Sequence, residues 1–249
     1  MDQQKADLLM ETCLLAGKIL MESTAEMYRV EDTLAYIAQA SGCNIVSYTT
    51  QTGIFVGIDG MSLLRMAQIT KRSINLDKVT KVNQLSREYV RGDFDLEELK
   101  CRLVYLQKEQ LFFPKWLEIL SAALISASMM ILFGGKMNDF LLTFLIGGSA
   151  YSLFLYSVKH LQIRFLSEFI ASWIIGLLVF SASKLGLVHN LDLIMIGCVM
   201  PFLPGVAITN SVRDLLAGHL LSGISRGAEA LITACMIGFG IAFVFQLLY

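Results

Sequence analysis

An apolar stretch late in the chain is interrupted by Pro201, Pro204 and Gly205 and then runs into Asn210, Arg213 and Asp214. Two prolines and a glycine in a membrane-crossing helix free backbone carbonyls that lipid cannot satisfy, so that backbone must line protein or a watery cavity. Broken helices of this sort form substrate and ion sites in transporters, while a packed proline kink is the plainer alternative. Helix geometry puts Asn210 and Asp214 on one face, and puts Arg226 and Glu229 close to one turn apart at the mouth of the next apolar stretch. Such a cluster could bind the charged groups of a small zwitterion or carboxylate; an interfacial ion-pair cluster that anchors helix ends is the alternative. Glu168, four residues after Arg164 and one turn into another apolar stretch, is a candidate proton-coupling site, because an ionisable group inside a span is a functional candidate by default. Snorkelling, or pairing with Arg164, would also account for it.

Less points to enzymatic or metal chemistry. Gly223-Ile224-Ser225-Arg226-Gly227 has the Gly-x-Ser-x-Gly form of a hydrolase nucleophile elbow, but that motif needs a preceding strand and a His and an acid that converge on the serine. Here an apolar helix precedes it and His219 stands only six residues upstream. The front half offers Arg29, Glu31 and Asp32 without a nucleophile–base pair, so no catalytic residue is assigned. Cys13, Cys43, Cys101, Cys198 and Cys235 are widely spaced, with no Cys-x-x-Cys pair, and read as reduced packing thiols. His160, His189 and His219 have no Cys or His at metal-ligand spacing, so neither a metal nor a cofactor is expected. The net charge of −1, with no stretch that concentrates Lys and Arg, argues against a nucleic-acid partner.

The elements that must position these residues fall into two halves. Residues 1–115 carry 29 of the 41 charged side chains, and the rest of the chain is apolar enough to lift the mean hydropathy to +0.61. The expected domains are therefore 1–112, a cytoplasmic α+β domain, and 113–249, an α-helical bundle of about five transmembrane helices. A crossing helix needs about 20 mainly apolar residues, which places spans near 116–134, 139–158, 165–183, 191–209 and 228–248. With the amino terminus inside, the inner segments hold Lys115, Lys159, Arg164, Arg213 and Arg226 and the outer ones only Lys136 and Lys184. The acidic, polar start lacks the form of a secretory signal and agrees with that orientation, which leaves the carboxyl terminus outside. Five crossings exclude an inverted repeat of equal halves within this chain, so a transporter would need helices from elsewhere.

In the front half, Leu8, Thr12, Leu15, Ala16 and Ile19 recur at helical spacing. Ser23-Thr24-Ala25-Glu26 has capping-box form, and Val30, Leu34, Ile37 and Ala38 mark the helix it would start. Short strand-favouring runs follow at Ile45, Ser47 and Tyr48, at Ile54 to Ile58 and at Met61 to Ile69, with Asp59-Gly60 as a hairpin turn. Val79, Val82, Leu85 and Tyr89 restore helical spacing, and Asp95 with Glu98 caps a last helix carrying Leu96, Leu99, Leu103 and Leu106.

The run from Pro204-Gly205 through Asn210, with Arg213-Asp214-Leu215, Gly218, Gly223, Arg226 and Glu229-Ala230-Leu231, resembles the membrane-domain signature of the threonine/serine exporter family. Ala16-Gly17, Ser23 and Tyr28-Arg29-Val30-Glu31 resemble the motif that opens that family's cytoplasmic domain, with Thr24 where the pattern leads one to expect a glycine. The resemblance covers nearly the whole chain and implies a multi-pass protein of the bacterial inner membrane that exports threonine and serine, or a dicarboxylate such as succinate, driven by the proton gradient. Long members carry about ten membrane helices, so this chain resembles the larger subunit of the split form. Its implied partners are a small companion membrane subunit, lipid and a small polar metabolite, in an oligomer. A membrane-anchored hydrolase and a non-transporting sensor or assembly subunit are the competing readings.

Overall fold

The computed structural model describes residues 3–61, 63–109 and 113–248. The chain divides into two compact units, one of Met1–Leu111 with Ile208–Gly227 and the other of Phe112–Ala207 with Ala228–Tyr249. Residues 208–227, which the sequence groups with the membrane half, thus belong to the first unit.

The first unit is built on helix α1 (Gln3–Glu22), whose apolar face carries Leu9, Met10, Cys13, Ala16 and Ile19, all at most 1% exposed. It packs against α2 (Met27–Ala40), strand β2 (Gly53–Ile58) and α4 (Leu96–Lys108), and the core is completed by Leu34, Ile37, Ile54, Val56, Leu99 and Leu103. Strands β1 (Ile45–Thr50), β2 and β3 (Leu64–Gln68) form an antiparallel sheet in the order β1-β2-β3, followed by α3 (Leu76–Arg91) and α4. Asp95 caps α4 as its sequence suggests, its carboxylate accepting from the Glu98 N–H at 2.8 Å. Strand β3 begins at Leu64 rather than Met61, because the Met61 N–H turns back to the Ile58 carbonyl (3.1 Å) and lengthens the Asp59-Gly60 turn. Burial pushes the Cys13 thiol up to about 12, which makes it an inert packing group.

The Ser23–Glu26 capping box does not form. Ser23 continues the last turn of α1, donating its N–H to the Ile19 carbonyl, and α1 closes in a Schellman arrangement: Ala25 N–H to Leu20 carbonyl at 3.0 Å and Thr24 N–H to Met21 carbonyl at 3.1 Å. Thr24 stands at the left-handed position of that motif, with φ 66°. Glu26 precedes α2 without a side-chain cap bond. Its carboxylate is taken by two guanidiniums, which outcompete a backbone N–H.

The second unit contains α5 (Lys115–Leu132), α6 (Phe140–Leu161), α7 (Arg164–Lys184), α8 (Leu191–Val199) and the larger part of α10 (Leu220–Leu248). Its helices approach closely at small residues. A Cβ on Gly147 of α6 would collide with Ser126 of α5, one on Gly197 of α8 would sit 2.6 Å from the Ser126 carbonyl oxygen, and one on Gly176 of α7 would sit 2.9 Å from Val244 of α10. Ala123, Ala127, Ser167 and Ala171 are buried in the same packing.

Among the described residues, four helical stretches are long and apolar enough to cross a bilayer: Lys115–Leu132, Met137–Leu161, Arg164–Lys184 and Leu220–Gln246. A fifth crossing arises if the bent pair Leu191–Phe202 and Gly205–Leu216 (helix α9) counts as one span. The fourth span is therefore not a single helix over 191–209. Pro201 sits in a 3-10 turn, Leu203 is held extended before Pro204 (φ −65°, ψ 134°), and the helix resumes at Gly205 with its axis turned by 60°. The last helix starts at Leu220, eight residues before the apolar run, because Gly218 (φ 88°) ends α9 and lets the chain turn directly into it.

A β-branched residue in the left-handed region is disfavoured by roughly 1–2 kcal/mol. Thr24→Gly removes that cost and gives up only an exposed bond from Thr24 Oγ1 to the Ser73 carbonyl. Thermal unfolding of the detergent-solubilised protein is expected to show Thr24→Gly at least as stable as the parent; a clear loss of stability would refute strain at this turn.

Candidate functional site

The polar residues of α9 and of the start of α10 converge on the short link between α1 and α2. Asn210, Ser211 and Asp214 form the buried face of α9, while Ile208, Val212 and Leu215 on its other side are exposed. The Ser211 hydroxyl donates to the Gly223 carbonyl at 2.7 Å and ties α9 to α10. Asn210 Nδ2 donates to the Thr24 carbonyl (3.1 Å), and Arg226 Nη2 donates to the Ala25 carbonyl (2.8 Å). Asp214 Oδ1 accepts the Met27 N–H at 3.0 Å. Met27 opens α2, so its N–H is one of the donors a helix leaves unsatisfied at its start. A carboxylate there also meets the positive end of the helix dipole. The cap of α2 thus comes from 187 residues away rather than from Ser23.

Asp214 is fully buried and Arg226 is 3% exposed, and Arg226 Nε lies 3.3 Å from Asp214 Oδ2. Each ion offsets the other's desolvation while both are anchored to backbone. Around this pair lies a wetter shell. Glu26 accepts from Arg213 Nη1 and, at 3.0 Å, from Arg29 Nη1. Burial alone would raise the Glu26 pKa, but the Arg213 and Arg29 guanidiniums outweigh it and hold the carboxyl below its usual range. Glu31 Oε1 accepts both the N–H (3.1 Å) and the hydroxyl (2.8 Å) of Thr49, fixing β1 to α2, and its other oxygen faces His219 Nε2 at 3.9 Å.

Glu229 does not join this cluster, although it lies close to one turn from Arg226. It pairs with Arg164 (Nη1 to Oε1, 3.1 Å) in the second unit. Arg164 Nε also meets Glu168 Oε1 at 3.1 Å, and Glu168 is 2% exposed, with the buried Thr233 hydroxyl facing the same carboxylate. At the opposite end of α6, Asp139 is 1% exposed and accepts from the backbone N–H of His189 while lying 3.0 Å from its Nδ1. The rule that singles out Glu168, an ionisable group at the end of an apolar stretch, applies equally to Asp139. Pro204 is buried at the helix break and Gly205 exposed, with open space where a Cβ would point. On the side of the break, a groove of about 400 Å³ is lined by Leu117, Glu118, Tyr151 and Pro201. Nothing in the spacing of Glu118 and Tyr151 announces that they share a groove. Ser225 lies inside α10 rather than at a strand–helix turn, and among the described residues no three His, Cys, Asp or Glu side chains converge for a metal ion.

Two outcomes follow from the buried pair and its shell. Asp214→Ala strands a buried guanidinium and is expected to cost about 3–5 kcal/mol, and Asp214→Ala with Arg226→Met should recover a large part of it. Thermal unfolding of these two variants and of Arg226→Met alone measures the coupling; additive losses would show that the pair is not a unit. Glu26 is depressed in the folded state, so its stabilisation is present above the unfolded carboxyl pKa and is lost as pH falls through the folded value. The gap in melting temperature between the parent and Glu26→Gln should therefore be widest near neutrality and close as pH is lowered past the ordinary carboxylate range.

The threonine/serine exporter family model (ThrE) matches residues 11–248. The chain is 28% identical over 237 residues to the "Probable succinate transporter subunit YjjP" of Escherichia coli (strain K12), covering 92% of this chain and 90% of that protein. It is 25% identical over 240 residues to the protein of the same description from Klebsiella aerogenes, with the same two coverages. No solved structure matches. With that match and four to five helices fit to cross a bilayer, the chain is a multi-pass membrane protein and belongs to the threonine/serine exporter family.

Proposed function

We propose that this chain is the larger subunit of a two-part secondary exporter that carries a small polar metabolite, threonine and serine or a dicarboxylate such as succinate, out of the bacterial cytoplasm. The observation that carries this reading is the apolar helix broken by 60° between Phe202 and Gly205. Backbone of that kind is tolerated at membrane depth only where it meets protein or water. Pro204 and Gly205 then belong to the path, and the buried Glu168 with Arg164 and Glu229 is the candidate for proton coupling. Asn210, Arg213, Asp214 and Arg226 act by position, since their hydrogen bonds already go to the α1–α2 link and to Glu26.

The need for a companion subunit is supported by the odd number of crossings when the bent pair counts as one, and by the word "subunit" in the relatives' descriptions. In this reading residues 1–112 are cytoplasmic, the amino terminus inside and the carboxyl terminus outside the inner membrane, and Arg29 and Glu31 hold the architecture of that domain together. Lys115, Lys159, Arg164, Arg213 and Arg226 together supply the inside-positive bias of this reading.

The test is efflux of labelled threonine, serine and succinate from cells making this chain with and without its companion. Gly205→Leu is the informative variant, because open space at Gly205 lets the protein fold while the side chain intrudes at the break. Export that requires both chains and falls by about tenfold or more in Gly205→Leu at matched abundance, a change worth about 1.4 kcal/mol or more, is the expected result. Absence of export for all three metabolites, or full export by the variant, would sink the proposal.

A further inference from the structure

The sheet of the first unit has one face on the core and one without cover. Its register aligns three cross-strand rows on the outer face: Val46–Gly57–Leu64, Tyr48–Phe55–Met66 and Thr50–Gly53–Gln68. Side chains alternate strictly between faces, so the partners in a row point the same way. Val46, Tyr48, Leu64 and Met66 are 64%, 57%, 69% and 65% exposed, whereas Ile54, Val56 and Ile58 on the reverse face are at most 5% exposed. Not one of the nine outer residues is charged, in a half of the chain that holds most of the charge. A contiguous apolar patch on a charged, water-facing domain marks a surface that something covers.

We propose that a second copy of this chain covers it, the two sheets stacking face to face about a two-fold axis. Three features of the face select a self-partner. It carries no charge, so it meets its own image without like-charge repulsion, and it offers no charged complement to a partner recognised electrostatically. Its central strand presents Phe55 between Gly53 and Gly57, so the one large ring of the central strand is flanked by small residues that leave room for the same ring from a second copy. With the axis along the strands, β1 of one copy lies over β3 of the other, which sets Tyr48 over Met66 and Val46 over Leu64. The first contact is of the sulfur–aromatic kind and the second aliphatic. The area also suits a dimer, since two such faces would bury on the order of 1,000 Å² in total, at the small end of specific interfaces. Confinement of both copies to one membrane raises their effective concentration and makes so small an interface sufficient. This surface is independent of the transport path, so a failed export experiment does not touch it.

Chemical cross-linking of the full chain in native membranes tests the proposal. Stacked sheets lie about 10 Å apart, too far for a disulfide between facing positions but within reach of a short bis-maleimide. The probe is Phe55→Cys with the exposed Cys101 and Cys235 replaced by serine. The control keeps Cys101, on α4, as its one exposed thiol among those described. The expected result is a covalent homodimer at Phe55→Cys and little at Cys101. Adding Met66→Lys should cut the dimer by roughly tenfold or more, because it places desolvated lysines in the stacked interface. Met66→Lys protein should keep the parent's helix content, so that loss of the dimer is not loss of the fold. No dimer from a Phe55→Cys thiol that still reacts with a mono-maleimide, equal cross-linking at Cys101, or an adduct whose mass includes a different protein would each overturn the proposal.

Discussion

A single carboxylate that meets the start of a helix 187 residues earlier in sequence organises the first unit. Asp214 caps α2, neutralises Arg226 and is excluded from water, and each role depends on the other two. Without Arg226 the charge would be too costly to bury. Without the Met27 N–H the carboxylate would lack one of the bonds that burial demands. Because Asn210 and Arg226 hold the Thr24 and Ala25 carbonyls, three side-chain anchors read one stretch of backbone, from Thr24 to Met27.

The second unit is held by a different rule. Its helices are apolar on most faces, so segregation from water cannot dictate which of them touch. Close approach at Gly147, Gly176 and Gly197 does that, together with two buried carboxylates at helix ends, Glu168 held by Arg164 and Asp139 by His189. The helix broken at Pro201 and Pro204 is the exception to regular packing. Its irregular backbone is the feature that a simple anchor would not need.

Much of this was legible in the sequence where the signal was local. Asp95 with Glu98 announced a cap, and the strand-favouring runs marked the sheet. The apolar stretches marked the spans, and the prolines marked the break. The capping box at Ser23 was legible too, and misleading, because its Glu26 pairs with Arg29 and with Arg213, the second of which a local pattern cannot reveal. Arg226 and Glu229 illustrate the same limit. Helical spacing correctly put them close to one turn apart, yet their partners, Asp214 and Arg164, lie in different units. The uncovered face of the sheet escaped notice because β1 and β3 alternate weakly, with Ile45, Val46 and Tyr48 apolar on both sides, so alternation alone could not say which face was inward.

Why a charged pair occupies this position, when a hydrophobic pair of similar volume is often as stable or more so, follows from what it contacts. Asn210, Arg226 and Asp214 each hold a backbone group of this stretch, so their bonds do not depend on which side chains Ala25 and Met27 carry but are strict about the conformation of the chain. That conformation begins at Thr24, whose left-handed φ of 66° swings the chain so that its carbonyl faces Asn210 and the next faces Arg226. A hydrophobic contact would accept many such turns. Directional bonds from Asn210, Arg226 and Asp214 accept one, and the cost of burying the ions is offset by the uniqueness of the turn they select.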